Sequence, residues 1–202
     1  MGYSSRKVAG TLFFIATTQF ILVVIVAEAL NQDYSISYNY ISDLGVGPYS
    51  FIFNASIFLF GLLLLIGSFF LQRASYPKVP TGVIALMGIG AMLVGVFPEQ
   101  AVHIPGTAHF VAGSIFQLFG VLSALMSHRL LKMPLSAINL VLGLFSLVAY
   151  IIFGLIFFDN RITIGIGEGG IQRMVIYPFL IALAVVGIYV MSLEKNHPSN
   201  NA

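Results

Sequence analysis

Six apolar runs of membrane-crossing length leave this chain very few ways to fold. A helix rises 1.5 Å per residue, so about 20 apolar residues cross a hydrocarbon core roughly 30 Å thick. Runs at about 8–29, 50–71, 80–97, 106–127, 135–157 and 174–192 meet that requirement. The third is the shortest, is rich in glycine and ends at Phe97-Pro98. Charge supply excludes the alternative. Only 8% of the 202 residues are charged and 58% are hydrophobic, whereas soluble domains carry about 25% charge. The expectation is an all-α polytopic membrane protein, a single domain over 1–202 with six transmembrane helices. Arg6 and Lys7 ahead of the first run imitate a signal peptide. The run extends to about Ala29, beyond a usual signal core, and is read as a retained span.

The charges sort by side. Arg6, Lys7, Arg73, Lys78, Arg129, Lys132 and Lys195 fall at the termini or in the second and fourth connections. Glu28, Asp33, Asp43, Glu99, Asp159 and Glu168 fall at the opposite side, with Arg161 and Arg173. Lys and Arg in short loops mark the cytoplasmic face, so both termini are expected in the cytoplasm of a multi-pass plasma-membrane protein, with the acidic loops extracellular. The formal charge of +2 offers no basic face for nucleic acid. Membrane lipids, a second copy of the chain or another membrane protein are the partners expected. Cysteine is absent, which removes disulfides, thiolate chemistry and Cys-ligated metals. Tryptophan is absent too, so Tyr and Phe supply the interfacial aromatics.

Within the spans, Gly82, Gly88, Gly90 and Gly95 are expected to let the third helix approach its neighbours. Pro48, Pro80, Pro105 and Pro134 stand near helix starts, where a missing N–H costs little, and Tyr177-Pro178 is placed to bend the sixth helix. Gln117 and Asn139 are read as bridges between helices, because a buried amide demands partners.

Chemistry-bearing residues concentrate in three acidic-side loops. Loop one, NQDYSISYNYISDLGVGPY at 31–49, alternates aromatic with small polar residues, and its SDLG suits a turn. Tyr34, Tyr38, Tyr40 and Tyr49 serve there as interfacial anchors, while Asp43 is a candidate pocket carboxylate. Loop three, FPEQAVHIPGTAHF at 97–110, holds Glu99, His103 and His109. A carboxylate–imidazole pair can exchange protons. The two histidines stand six apart, off the i,i+4 face of a helical zinc motif, and too close together for the usual axial haem pair, so no metal is assigned and any cofactor is left open. Loop five, FFDNRITIGIGEGGIQR at 157–173, surrounds Glu168 with glycines able to form a backbone nest. It lacks GK[S/T] and is no P-loop. Arg173 is expected to pair with Glu168 or Asp43, or to hold an anionic headgroup. Glu28, Asn54 and Ser56 are expected near the same pocket.

YNYISDLG at Tyr38–Gly45, FPE at Phe97–Glu99 followed by His103 and His109, and GEGGIQR at Gly167–Arg173 followed by Tyr177-Pro178 together resemble the conserved elements of an uncharacterised archaeal and bacterial membrane family, domain of unknown function 998. The resemblance spans nearly the whole chain and implies about six helices. It names no substrate.

The functional expectation is an outward-facing polar pocket that binds or modifies a lipid or small amphiphile. Its catalytic candidates are His109 as general base, Glu99 and Asp43, with water as the simplest nucleophile. Its binding candidates are Arg173, His103, Glu168, Asn54 and Glu28. A noncatalytic membrane-complex subunit and a small-solute transporter are the alternatives. Against transport stand the absence of a charge chain across the midplane and of an inverted repeat.

Overall fold

Backbone groups in hydrocarbon must bond within their own segment, which leaves helices as the solution for runs of this kind. The computed structural model describes residues 4–99, 106–158 and 165–193. It contains six long helices: α1 (Ser5–Leu30), α2 (Ser50–Arg73), α3 (Lys78–Val96), α4 (Gly106–Ser127), α5 (Leu135–Phe158) and α6 (Gly167–Ser192). All six are long and apolar enough to cross a membrane. A short 3-10 helix, Ile41–Gly45, lies in the α1–α2 connection. The α1–α2, α3–α4 and α5–α6 connections share one end of the bundle, called here the acidic end. The Arg6 guanidinium donates to the Leu193 carbonyl and ties the first helix to the last at the basic end.

Consecutive helices from α1 to α4 pack side by side, and α6 closes the bundle against α1, α4 and α5. Of the six, α6 is the most buried and α5 the least. Small residues set the close crossings. A Cβ on Gly10 would stand 2.5 Å from the Gly187 carbonyl across the α1–α6 crossing. One on Gly88 would stand 2.7 Å from the Gly61 carbonyl across α2–α3, and one on Gly90 would stand 2.5 Å from the Phe116 nitrogen on α4. Gly95 packs similarly on α2, but Gly82 meets nothing, so three of the four α3 glycines serve helix approach. Phe20, Phe60, Phe116 and Phe179 join α1, α2, α4 and α6 in successive ring contacts.

Pro178 lies inside α6, where its missing N–H leaves the Met174 carbonyl without its helical donor. One residue on, the Val175 oxygen accepts from Ser146 of α5 at 2.6 Å, which ties the two helices together beside the proline. Asn139 bridges as expected, donating to Ser127 Oγ on α4 and to the Ala182 carbonyl on α6, both at 2.9 Å. The sixth helix departs from expectation by starting at Gly167 rather than near 174. The glycine-rich stretch read as loop forms its first turns, and Gly169 is glycine because the Asn39 and Ile36 carbonyls occupy the place of its side chain.

Candidate functional site

Loop one folds on its own polar side chains. Asn39 accepts from the Ser35 N–H at 2.9 Å and donates to Asp43 Oδ2 at 3.1 Å. The Tyr40 N–H donates to the same carboxylate oxygen at 3.0 Å, so Asp43 caps the 3-10 helix that it belongs to. Asn54, at the start of α2, donates to the Gly45 carbonyl at 3.0 Å and fixes the other end of that turn.

The folded loop is then fastened to α6. Gln172 Oε1 accepts from the Ile41 N–H at 2.7 Å, and the Gly169 N–H donates to the Ser37 carbonyl at 2.9 Å. Arg173 forms the largest fastening. Its Nη2 and Nε donate to Glu28 Oε1 at 2.7 and 3.2 Å. Nη1 donates to the carbonyls of Ile36, Asn39 and Gly169 at 2.9–3.0 Å, and Nη2 also meets the Tyr34 hydroxyl. The guanidinium lies 5.5 Å from the Tyr34 ring centroid. Burial pushes the Tyr34 phenol up to about 12 against the opposing pull of Arg173, so the hydroxyl keeps its proton and donates to the Tyr40 carbonyl at 2.8 Å.

Beside this assembly lies a cavity of about 730 Å³, within the roughly 300–1,000 Å³ of small-ligand sites. Phe20, Phe53, Ile57 and Phe116 line its deep part. Tyr40, Ser42, Glu99 and His109 line its acidic end, with Gln117 and Gln172 on the wall. The Glu99 carboxyl sits at the mouth and is pushed above the ordinary glutamate range, first by partial desolvation and then by the neighbouring Asp43; His109 opposes the shift. The Nδ1 of His109 lies 2.7 Å from the Phe97 carbonyl. A carbonyl only accepts, so Nδ1 carries the hydrogen and Nε2 is the ring nitrogen left facing away from that bond. The Tyr40 hydroxyl donates to Glu168, and burial and that carboxylate raise the phenol well above its usual range.

Residues 14–189 match the family described as Protein of unknown function (DUF998). The chain belongs to that family. No curated protein and no solved structure matches it. In this DUF998 protein the segments Tyr38–Gly45 and Gly167–Arg173 are the two bound together by Gln172 and Arg173.

Several sequence expectations are redistributed by this geometry. Glu99 and His109 line the cavity, while Asp43 neighbours Glu99 and does not line it. Arg173 pairs with Glu28, not with Glu168 or Asp43, because the early start of α6 turns it into the bundle at 6% exposure. Its guanidinium nitrogens are all engaged within the chain, which leaves no donor for a headgroup, and neither Arg173 nor Glu28 lines this cavity. Asn54 holds the loop-one turn, and Ser56 donates to Gln19 on α1 at 2.8 Å; both lie off the cavity. Glu168 receives Tyr40 at an exposed position. The expected glycine nest is filled by the Ser37 carbonyl, which also accepts from Gly170. His103 lies outside the described residues. Among the described residues no three His, Cys, Asp or Glu side chains converge on a common point. Gln117, read as a bridge, instead lines the cavity at 9% exposure with Oε1 unpartnered. Sequence reasoning also passed over Gly113 and Gly154, which line the cavity and would meet nothing if given a Cβ. A glycine that leaves space open carries the same letter as one that admits a neighbour.

Proposed function

We propose that this DUF998 protein binds a membrane lipid or small amphiphile in the cavity, with its apolar chain among the phenylalanines and its head beside Tyr40, Ser42, Glu99 and His109. The observation that carries the reading is the cavity's two-part lining, aromatic within and hydrogen-bonding at one end. The buried Gln117 Oε1 supports it, since an unpartnered acceptor costs free energy until a donor arrives. With Arg173 engaged by Glu28, the head suits hydroxyl, amide or amine groups better than phosphate. By the positive-inside rule the acidic end faces the outside of the plasma membrane.

His109 gives this reading a chemical extension. With Nδ1 anchored on Phe97, Nε2 is able to take a proton from water attacking an ester of the bound amphiphile and to return it to the leaving oxygen, with Glu99 beside it at the cavity mouth. The test is mass spectrometry of amphiphiles that co-purify with the wild type, Ser42→Phe and His109→Ala, together with assays of ester hydrolysis. Bound amphiphile in the wild type and its loss in a folded Ser42→Phe protein are expected. His109→Ala keeps the amphiphile and abolishes turnover. A wild type that carries nothing, with His109→Ala failing to assemble, favours a noncatalytic subunit instead.

A further inference from the structure

The seam between α4 and α5 changes character along its length. Toward the basic end the helices touch: a Cβ on Gly143 would stand 2.7 Å from the Leu125 nitrogen, and Asn139 reaches Ser127. Toward the acidic end both helices line the cavity and the space beside Gly113 and Gly154 is open. Above this opening Phe110 of α4 and Phe157 of α5 stack with centroids 5.5 Å apart, bridging the seam. Ile151 lines the cavity and yet is 55% exposed on the flank of the bundle. On a membrane-crossing helix that flank meets hydrocarbon, not water. Loop one, which Gln172 and Arg173 hold down, contributes Tyr40, Ile41 and Ser42 to the cavity's acidic end.

We propose that the cavity opens sideways between α4 and α5, beneath the Phe110–Phe157 pair, and that its occupant is an acyl chain of a bilayer lipid drawn from the leaflet at the acidic end. This deepens the amphiphile reading and rests on it. Entry from the bilayer keeps the chain in apolar surroundings throughout, which avoids the cost of exposing each methylene to water. The polar head then slides along the interface to Glu99 and His109, and the Phe110–Phe157 bridge limits how the two helices part.

The experiment uses the full chain in phosphatidylcholine vesicles containing a phosphatidylcholine with a diazirine near the end of one tail. After irradiation, adducts are mapped by peptide mass spectrometry. Adducts concentrated on the cavity-facing residues near Gly113 and Gly154 are expected. In Gly154→Leu, where the added side chain fills open space, they fall about tenfold, equivalent to roughly 1.4 kcal/mol of lost binding. Phe110→Ala removes the bridge and raises the adduct yield, a gain that misfolding does not produce. Adducts spread evenly over all bilayer-facing helices overturn the portal. A protein that co-purifies with amphiphile but cross-links only in loop one overturns the portal and leaves the binding reading standing. Absence of any bound amphiphile removes both.

Discussion

At the scale of single residues, Arg173 and Glu99 make opposite demands on the protein. The Arg173 charge is matched by Glu28 and surrounded by carbonyls, so its removal strands a carboxylate at a nearly buried position. Arg173→Ala is expected to cost about 3–5 kcal/mol, read as a lowered unfolding temperature in detergent, with Glu28→Gln added to Arg173→Ala recovering part of the loss. Lys in its place restores the charge but not the planar set of five donors, and remains well short of wild type. Glu99 acts through pH. Folding raises its pKa, so the folded form holds the proton more tightly than the unfolded chain. Its contribution is complete below the ordinary glutamate range and is lost as pH rises through the elevated folded value. Unfolding temperature followed against pH is expected to decline through that window, and Glu99→Gln to flatten the decline. The polar residues of the cavity's acidic end were legible in loop three, since Glu99 and His109 are polar groups beside apolar spans. The partner of Arg173 was not, because Glu28 stands 145 positions away and nothing local marks the pairing.

Helices were legible because hydrocarbon demands long apolar stretches and reads little else. Their ends were less so, as the first turns of α6 show. Gly167 and Gly169 have the composition of a turn, yet their place is dictated by carbonyls of loop one that no single-sequence pattern reveals. Equal letters also hide unequal roles within α3. Gly88→Leu is expected to destabilise the folded bundle by roughly 1–3 kcal/mol, as overpacking does, because the Gly61 carbonyl and Leu64 block the added atoms. Gly82→Ala meets open space and is expected to be neutral or to stabilise by up to about 1 kcal/mol. Thermal unfolding of the two variants side by side checks the contrast. At α6 the proline was legible in the sequence, while the neighbouring tie was not: Ser146 is an unremarkable serine until α5 is laid against the Val175 carbonyl.

For the whole molecule, the division of charge between the two ends predicts how the chain sits in its membrane. The absence of cysteine makes the test direct. A single cysteine at Asp33 is expected to react with an impermeant thiol reagent in intact cells, and one at Lys132 only after the membrane is opened. Reversal of that pattern inverts the proposed orientation; labelling of both from one side contradicts the three crossings, α2 to α4, that lie between them. The fastening of loop one carries a consequence for biosynthesis. Residues 34–41 take their long-range hydrogen bonds from α6, which leaves the ribosome after α1 to α5. Until Gln172 and Arg173 arrive, the first connection has its internal bonds and the Tyr40–Phe153 contact but none of the ties that fasten it across the bundle. A chain stopped after α5 should therefore leave Tyr34–Ile41 open to protease while its early helices are already inserted.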